Sequence, residues 1–474
     1  MSMKPLILTA ALALMFAPAV HAATQDAAPR LAEVSVVREG DAFTVDYEFT
    51  LDRPAYAFQV SALTREGRRA WRRERWTVQT PGVVLDRIGA YDVLRSIDGQ
   101  PLPRRIRILM HPAGGDLEAE YSPSLVFSDG AVALFTEQFD LIPLESAQAA
   151  ADLPRDLNGF DFSFGPTWVT WRDTSGPVLF RGQRAEVASA SDAGTYVYFG
   201  QGEAVGGSAV AAIFDPGLPT WLVSELSDFT PLVLAFYADR IGPRAGDLPT
   251  LMVSWSGPTE GMTSMAGSVL PNLIVMDFQG EGVLDRSRRV LDTGRWFIGH
   301  EAGHFWLGSQ GLRYAAARDA WITEGGADLM AVRAISSLDS GYNGDPVLQR
   351  SVDDCIALVA IGPLAEAGDR GDNRAFYACG AVWALAFEAA RRASDGGDWF
   401  DILRDFRATQ TDGILTRDEW LTAFTQATGD PALRQTIERM LDQGGGDPAA
   451  DIAAIFQATG VAHRHEGGRV ILAD

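Results

Sequence analysis

The residues of this chain best suited to chemistry are two histidines four positions apart, with a glutamate directly after the first. The stretch reads Gly299-His300-Glu301-Ala302-Gly303-His304-Phe305-Trp306-Leu307-Gly308. Positions i and i+4 of a helix share a face, so His300 and His304 can present two imidazoles to one metal ion. Glu301 lies beside them, where a carboxylate could deprotonate a metal-activated water. The chain holds only 6 histidines, so composition alone gives little reason for this pairing. A catalytic zinc takes three protein ligands and keeps one position open for water. Glu324, in Trp321-Ile322-Thr323-Glu324-Gly325-Gly326-Ala327, is the best third ligand, expected in the first turn of the next helix with Thr323 as a possible cap. Asp319 and Asp328, on either side of Glu324, could each accept a hydrogen bond from a ligand histidine and fix its tautomer, although a capping or solvated carboxylate reads the same in sequence. His463 and His465 near the carboxyl end read as a solvated tail.

The elements that must position these residues differ between the two halves of the chain. Phe43, Val45, Tyr47, Phe49 and Leu51 alternate with mostly polar residues, as do Ile106, Ile108 and Met110, the pattern of half-buried strands. Trp168 to Trp171 and Tyr196 to Phe199 add strand-like runs between Gly, Pro and Asp clusters. A β-sandwich-like region is expected over roughly 23–205. Near residue 218 the pattern changes to helical: Trp221, Leu222, Leu226, Phe229, Val233, Phe236 and Tyr237 form an apolar stripe, with a kink or break expected at Pro231. Strands are expected at Leu251 to Val253 and Leu273 to Met276, and Asp292 or Thr293 could cap the histidine helix. Gly299 and Gly303 each cost that helix about 1 kcal/mol relative to alanine, which points to a close approach by backbone or substrate. From about 319 onward the chain reads as mostly helical. Thr416 with Glu419 forms a capping box before Trp420, and Gly444-Gly445-Gly446 precedes a last short helix.

Bulk properties exclude several functions. The length of 474 residues requires more than one domain. A net charge of -22 argues against general binding to nucleic acid or to an anionic membrane. Lys4 is the only lysine, and it falls in a segment, 1–22, that reads as a secretory signal: a positive end, an apolar stretch from Pro5 to Val20 and small residues around Val20-His21-Ala22. A membrane anchor is the competing reading, for which the apolar run is short. After removal of that segment the chain has no lysine for a Schiff base or a P-loop, and no G-x-S-x-G elbow is present. A soluble exported protein, periplasmic or secreted, is expected. Such a compartment permits a disulfide between Cys355 and Cys379, the chain's 2 cysteines, with buried free thiols as the alternative. One basic segment stands apart: Arg65, Arg68, Arg69, Arg72, Arg73 and Arg75 surround Trp71 and Trp76, either a site for an anionic ligand or an exposed hairpin with arginine stacked on tryptophan.

With these residues in view, the chain resembles the gluzincin zinc metallopeptidases, in particular the aminopeptidase N and glycyl aminopeptidase families. His300 to Gly308 fits their H-E-x-x-H-x-W-x-G helix, including Trp306. Asp319-Ala320-Trp321-Ile322-Thr323-Glu324-Gly325-Gly326-Ala327 fits their D-x-W-L-x-E-G-x-A phrase, with isoleucine for leucine and a spacing from His304 one residue longer. Tyr377-Ala378-Cys379-Gly380 fits their Y-x-K-G phrase with cysteine for lysine. The resemblance implies zinc on His300, His304 and Glu324, Glu301 as general base, and Tyr377 as donor to the developing oxyanion; a half-buried core tyrosine is the alternative for Tyr377. It covers about 265–390. One family element departs: where G-x-M-E-N supplies a glutamate for the substrate's free amine, this chain reads Gly267-Ser268-Val269-Leu270-Pro271-Asn272, and the nearby Glu260 matches no motif. Exopeptidase and endopeptidase action therefore both stay open.

The expected architecture is α+β: signal 1–22, an N-terminal β domain over 23–205, a thermolysin-like, mostly helical catalytic domain over 206–395 and C-terminal helices over 396–474. The expected activity is zinc-dependent hydrolysis of peptide or protein substrates with one Zn2+. Hydrolysis of a non-peptide bond, or a zinc-containing binding protein derived from a peptidase, are the alternatives.

Overall fold

The structure is a computed structural model that describes residues 29–473 apart from 66, 115–116, 119–120, 156, 158–159, 192, 207–208 and 309. The expected signal segment lies outside the described residues.

Alternating apolar residues build the first sheets. The largest has six strands in the order Ala188–Ala190, Thr167–Asp173, Ala32–Glu39, Ala42–Phe49, Arg105–Met110 and Trp76–Val78. Phe43, Val45, Tyr47 and Phe49 are buried in it, as their two-residue period requires. A four-stranded sheet (Leu141–Leu144, Ala55–Phe58, Tyr91–Ser96, Val83–Ile88) and a five-stranded one (Ser124–Val126, Val132–Phe135, Tyr196–Phe199, Val178–Phe180, Gln183–Ala185) complete the β region.

The arginine-rich segment is part exposed and part buried: Arg65, Arg68, Arg69, Arg73 and Arg75 are exposed, and arginine stacks on tryptophan in the core rather than on the surface. It forms the short helix α1, Trp71–Arg75, and both tryptophans are buried. Arg72 is fully buried, with its guanidinium 4.0 Å from the Phe58 ring and 4.5 Å from the Trp76 ring. It is 3.4 Å from Asp92 and donates to the carbonyls of Val60 and Gln138. Arg68, Arg69 and Arg73 pair with Glu118, Glu74 and Asp86.

A fourth sheet carries the chain toward the histidines. Its strands run Val205–Gly206, Ala211–Phe214, Thr250–Trp255, Leu273–Gln279 and, antiparallel at the edge, Ser264–Leu270. The central three are parallel, so a crossover must join the first two; helix α2, Thr220–Ile241, supplies it. Pro231 does not break α2. The carbonyl it leaves without a donor is that of Ser227, which is exposed to water. Alternation explains how this sheet joins two layers. Leu251, Val253, Ile274 and Met276 pack into the helical core, whereas Ile213, Met252, Leu273 and Val275 pack against Leu125, Phe127, Tyr196 and Tyr198 of the five-stranded β sheet.

The remaining helices are α3 (Arg288–Gly303), α4 (Trp321–Leu338), α5 (Asp345–Ile361), α6 (Ala367–Arg370), α7 (Arg374–Asp395), α8 (Trp399–Thr409), α9 (Arg417–Thr428), α10 (Pro431–Asp442) and α11 (Pro448–Thr459). The cap of α3 is Ser287, whose hydroxyl accepts from the Val290 amide; Asp292 and Thr293 lie inside the helix. Thr416 and Glu419 form the capping box of α9. His463 and His465 belong to a terminal hairpin, His463–Glu466 with Arg469–Leu472, rather than to a loose tail. No helix among the described residues is long and apolar enough to cross a membrane. With sheets in the first half, the mixed sheet between, and helices in the second half, the class is α+β.

Candidate metal centre

Helix α3 is buttressed so that its last two turns have little freedom. The Tyr237 hydroxyl on α2 donates to the Gly299 carbonyl at 2.9 Å, and the Trp306 indole donates to the Gly242 carbonyl at 2.7 Å. Gly299 and Gly303 face α4: a Cβ at Gly299 would stand 3.3 Å from Ala331 and one at Gly303 3.4 Å from Met330. The close approach that these glycines permit is thus helix on helix.

Helix α4 in turn touches α7 backbone to backbone. A Cβ at Gly325 would overlap the Gly380 carbonyl carbon, and one at Gly380 would overlap the Trp321 carbonyl oxygen. Arg333 on α4 and the fully buried Glu388 on α7 pair at 2.5 Å and fasten the two helices further along. Three helices are therefore locked together around the residues singled out above. Helix α4 begins at Trp321 without a side-chain cap; Thr323 instead donates back to the Ala320 carbonyl.

The geometry at the centre is compact. His300 Nε2 and His304 Nε2 are 3.0 Å apart, and Glu324 Oε2 lies 3.5 Å from the first and 3.4 Å from the second. Zinc bonds of 2.0–2.1 Å at tetrahedral angles require ligand atoms about 3.3 Å apart, so the triangle has the right size for one ion. The other ring nitrogens decide the chemistry. His304 Nδ1 is 3.0 Å from the Leu307 carbonyl oxygen, which can only accept, so this nitrogen carries the proton. His300 Nδ1 is 2.8 Å from Asp328 Oδ1. With both Nδ1 atoms protonated in the neutral rings, both Nε2 lone pairs face each other and a carboxylate oxygen. Three acceptors at this distance repel one another unless a cation lies among them. Among the described residues, these three form the one group of side chains placed to hold a metal in this way.

Electrostatics agree with that reading. Burial works against the His300 imidazolium, but Asp328, Glu324 and Glu301 hold its pKa well above the usual value; burial and Glu324 act likewise on His304. Burial also opposes the Glu324 carboxylate, yet the imidazoles of His304 and His300 hold its pKa far below the usual range. The cluster carries surplus negative charge that calls for a cation. Glu301 is buried, and burial raises its pKa against the lowering pull of His300 and His304.

Tyr377, in the first turn of α7, stacks on His300 with ring centroids 5.5 Å apart. The Glu324 carboxylate, reinforced by burial, holds its phenol well above the ordinary pKa rather than near it, so it remains a donor. Asp319 does not share in the centre. It lines a separate cleft with Arg318, Arg417 and Asp442, and Asp328 alone of the two reaches a ligand histidine. Two partners had no usable signal in the sequence. The Leu307 carbonyl has no side-chain signature, and Arg374, 3.6 Å from Asp328 and 2.8 Å from Asp354, is one arginine among many. Cys355 on α5 and Cys379 on α7 are joined in a disulfide.

The fold is similar to that of a solved aminopeptidase N family protein, and it holds a His-His-Glu cluster between its helices. The particular likeness that carries this is to an aminopeptidase N family protein from Idiomarina loihiensis, with a TM-score of 0.58 at 11% identity over 86% of this chain and 76% of that one. Weaker likenesses are to an M1 zinc metallopeptidase from Deinococcus radiodurans (TM-score 0.46, 15% identity, 88% of this chain and 92% of that one). Another is to the leukotriene A4 hydrolase of Saccharomyces cerevisiae (TM-score 0.48, 11% identity, 88% and 68%). No protein-family model matches the sequence, and no curated protein does.

Proposed function

We propose that the protein is an exported zinc metallopeptidase of the gluzincin type, with zinc held by His300, His304 and Glu324. The observation that carries this reading is the set of three acceptor atoms 3.0–3.5 Å apart, with His304 Nδ1 on the Leu307 carbonyl and His300 Nδ1 facing Asp328. Structural zinc sites usually close all four positions with protein ligands, so three ligands beside a buried carboxylate favour catalysis over a purely structural role. The likeness to peptidases in fold adds support.

Zinc, when bound, supplies Lewis acidity to a water and to the scissile carbonyl. Glu301 takes the proton of the attacking water. Its raised pKa makes it a stronger base than an exposed glutamate and lets it hand the proton to the leaving amine. The Tyr377 hydroxyl donates to the oxygen of the substrate carbonyl as negative charge develops there. Asp328 keeps the His300 ring oriented.

The test is direct. Glu301→Gln should retain zinc and lose hydrolysis, while His304→Ala should lose both. Full hydrolysis by Glu301→Gln overturns the mechanism. A screen of blocked and unblocked peptides then separates endopeptidase from exopeptidase action, and zinc without turnover of any peptide would identify a binding protein.

A further inference from the structure

We infer that the Cys355–Cys379 disulfide is a positioning device for Tyr377, an inference that rests on the catalytic reading of that tyrosine. Helix α7 begins without the usual device for fixing a helix start, since Asn373 makes no side-chain cap. The first turn, where Tyr377 lies, must be held by other means. Contacts from two sides do so, the weaker ones of Arg374 to Ser351 and Asp328 among them. From α5, two adjacent residues act: Asp354 accepts from Arg374 at 2.8 Å, and Cys355 bonds to Cys379 with Cα atoms 4.8 Å apart. From α4, the Gly325 backbone abuts Gly380.

The residues are interleaved. Arg374 is three before Tyr377, Cys379 is two after it, and Gly380 is three after it, while Gly325 directly follows Glu324. The brace on α7 therefore sets the distance between the Tyr377 hydroxyl and the carboxylate and imidazole it faces. Both cysteines are wholly buried, which makes the bond a permanent strut rather than an accessible switch. It stands where the resembling families carry a lysine in the Y-x-K-G phrase.

An oxyanion donor tolerates little displacement; a shift of about 1 Å can cost up to 100-fold in rate. The Cys355→Ser/Cys379→Ser protein should bind zinc as the parent does. Its kcat should fall by about tenfold with KM nearly unchanged, and amide exchange should quicken over residues 375–380 more than in α3. The decisive measurement is a double-mutant cycle with Tyr377→Phe. In the Tyr377→Phe background, removing the disulfide should leave kcat where it is.

An equal drop in both backgrounds, or an unchanged kcat in the parent background, overturns the inference. If Tyr377→Phe is as active as the parent, the disulfide has no donor to position and the inference fails, whereas the zinc reading stands or falls separately with Glu301→Gln. If the cysteine variant fails to fold, Asp354→Asn, which weakens the other tie from α5, carries the same cycle with the same two outcomes.

Discussion

Two of the clusters in which the protein buries charge are built on opposite logic. In the β region, Arg72 and Asp92 are both fully buried and are paired within the chain. Arg72 reaches two carbonyls, two aromatic faces and Asp92, and Asp92 is also paired with Arg87 at 3.1 Å. In the helical region, His300, His304 and Glu324 are brought together with their inner faces opposed, His304 Nδ1 bonded to the Leu307 carbonyl and His300 Nδ1 2.8 Å from Asp328. The first cluster closes on itself and is structure. The second opposes three ligand atoms around a point where a cation fits, and under the proposed reading it is a site. Spacing could not separate an anionic-ligand site from an exposed hairpin in the arginine-tryptophan segment, of which the fold draws Trp71, Arg72 and Trp76 into the core and leaves the other arginines exposed.

The largest expected effect breaks the closed cluster. Asp92→Ala leaves Arg72 in the interior with its principal counter-charge removed, at a cost of about 3–5 kcal/mol. Denaturant unfolding should show this loss with zinc present or chelated, and zinc content per folded molecule should not change. If the loss disappears on chelation, the two clusters are coupled and the contrast fails. Tyr377→Phe does the opposite: stability within about 0.5 kcal/mol of the parent, but a loss of about 3 kcal/mol in transition-state stabilisation, read as roughly 100-fold in kcat.

Removing zinc should come next. Chelation should lower stability by about 2.7 kcal/mol relative to protein held at 100 times the zinc dissociation constant. Its pH dependence has a definite sign. In the metal-free protein the carboxylates hold the His300 and His304 pKa values above that of the unfolded chain. This contribution is fully present below about pH 6.5, the unfolded value, and is lost as pH rises through the folded pKa values. Zinc affinity rises over the same range because the ligands lose their protons. The gap in melting temperature between loaded and stripped protein should widen from pH 6 to pH 9; a constant gap would place the metal elsewhere.

The pairing of His300 with His304 was legible because a helix converts spacing into direction: residues four apart share a face whatever the rest of the chain does. The strands of the β region were legible for the same reason at period two. What was not legible depends on contacts between elements distant in sequence. Asp319 and Asp328 are equivalent beside Glu324 in the sequence. The packing of α4 on α3 turns Asp328 toward His300, and Asp319 falls before the helix starts, at the mouth of a different cleft. The helix continues through Pro231, with the residue four before it, Ser227, on the exposed side, which no local pattern announces. Gly299 and Gly303 did announce a close approach, though not what approaches.

The smallest expected effect is also the sharpest test of the open cluster. Asp328→Asn keeps the shape of the side chain and removes its charge. If Asp328 acts by holding His300 with Nε2 free, the variant should bind zinc 10–100-fold more weakly. The folded, metal-free protein should lose only the low-pH stability that Asp328 lends to the His300 imidazolium. The equivalent change in the closed cluster, Asp92→Asn, removes a charge that Arg72 needs, so it should destabilise the protein while leaving zinc affinity alone. Titration of the two asparagine variants with a competing chelator, alongside their unfolding curves, sets the two cases side by side. A pair of variants that lost stability and zinc affinity in the same proportion would show that both clusters are structural.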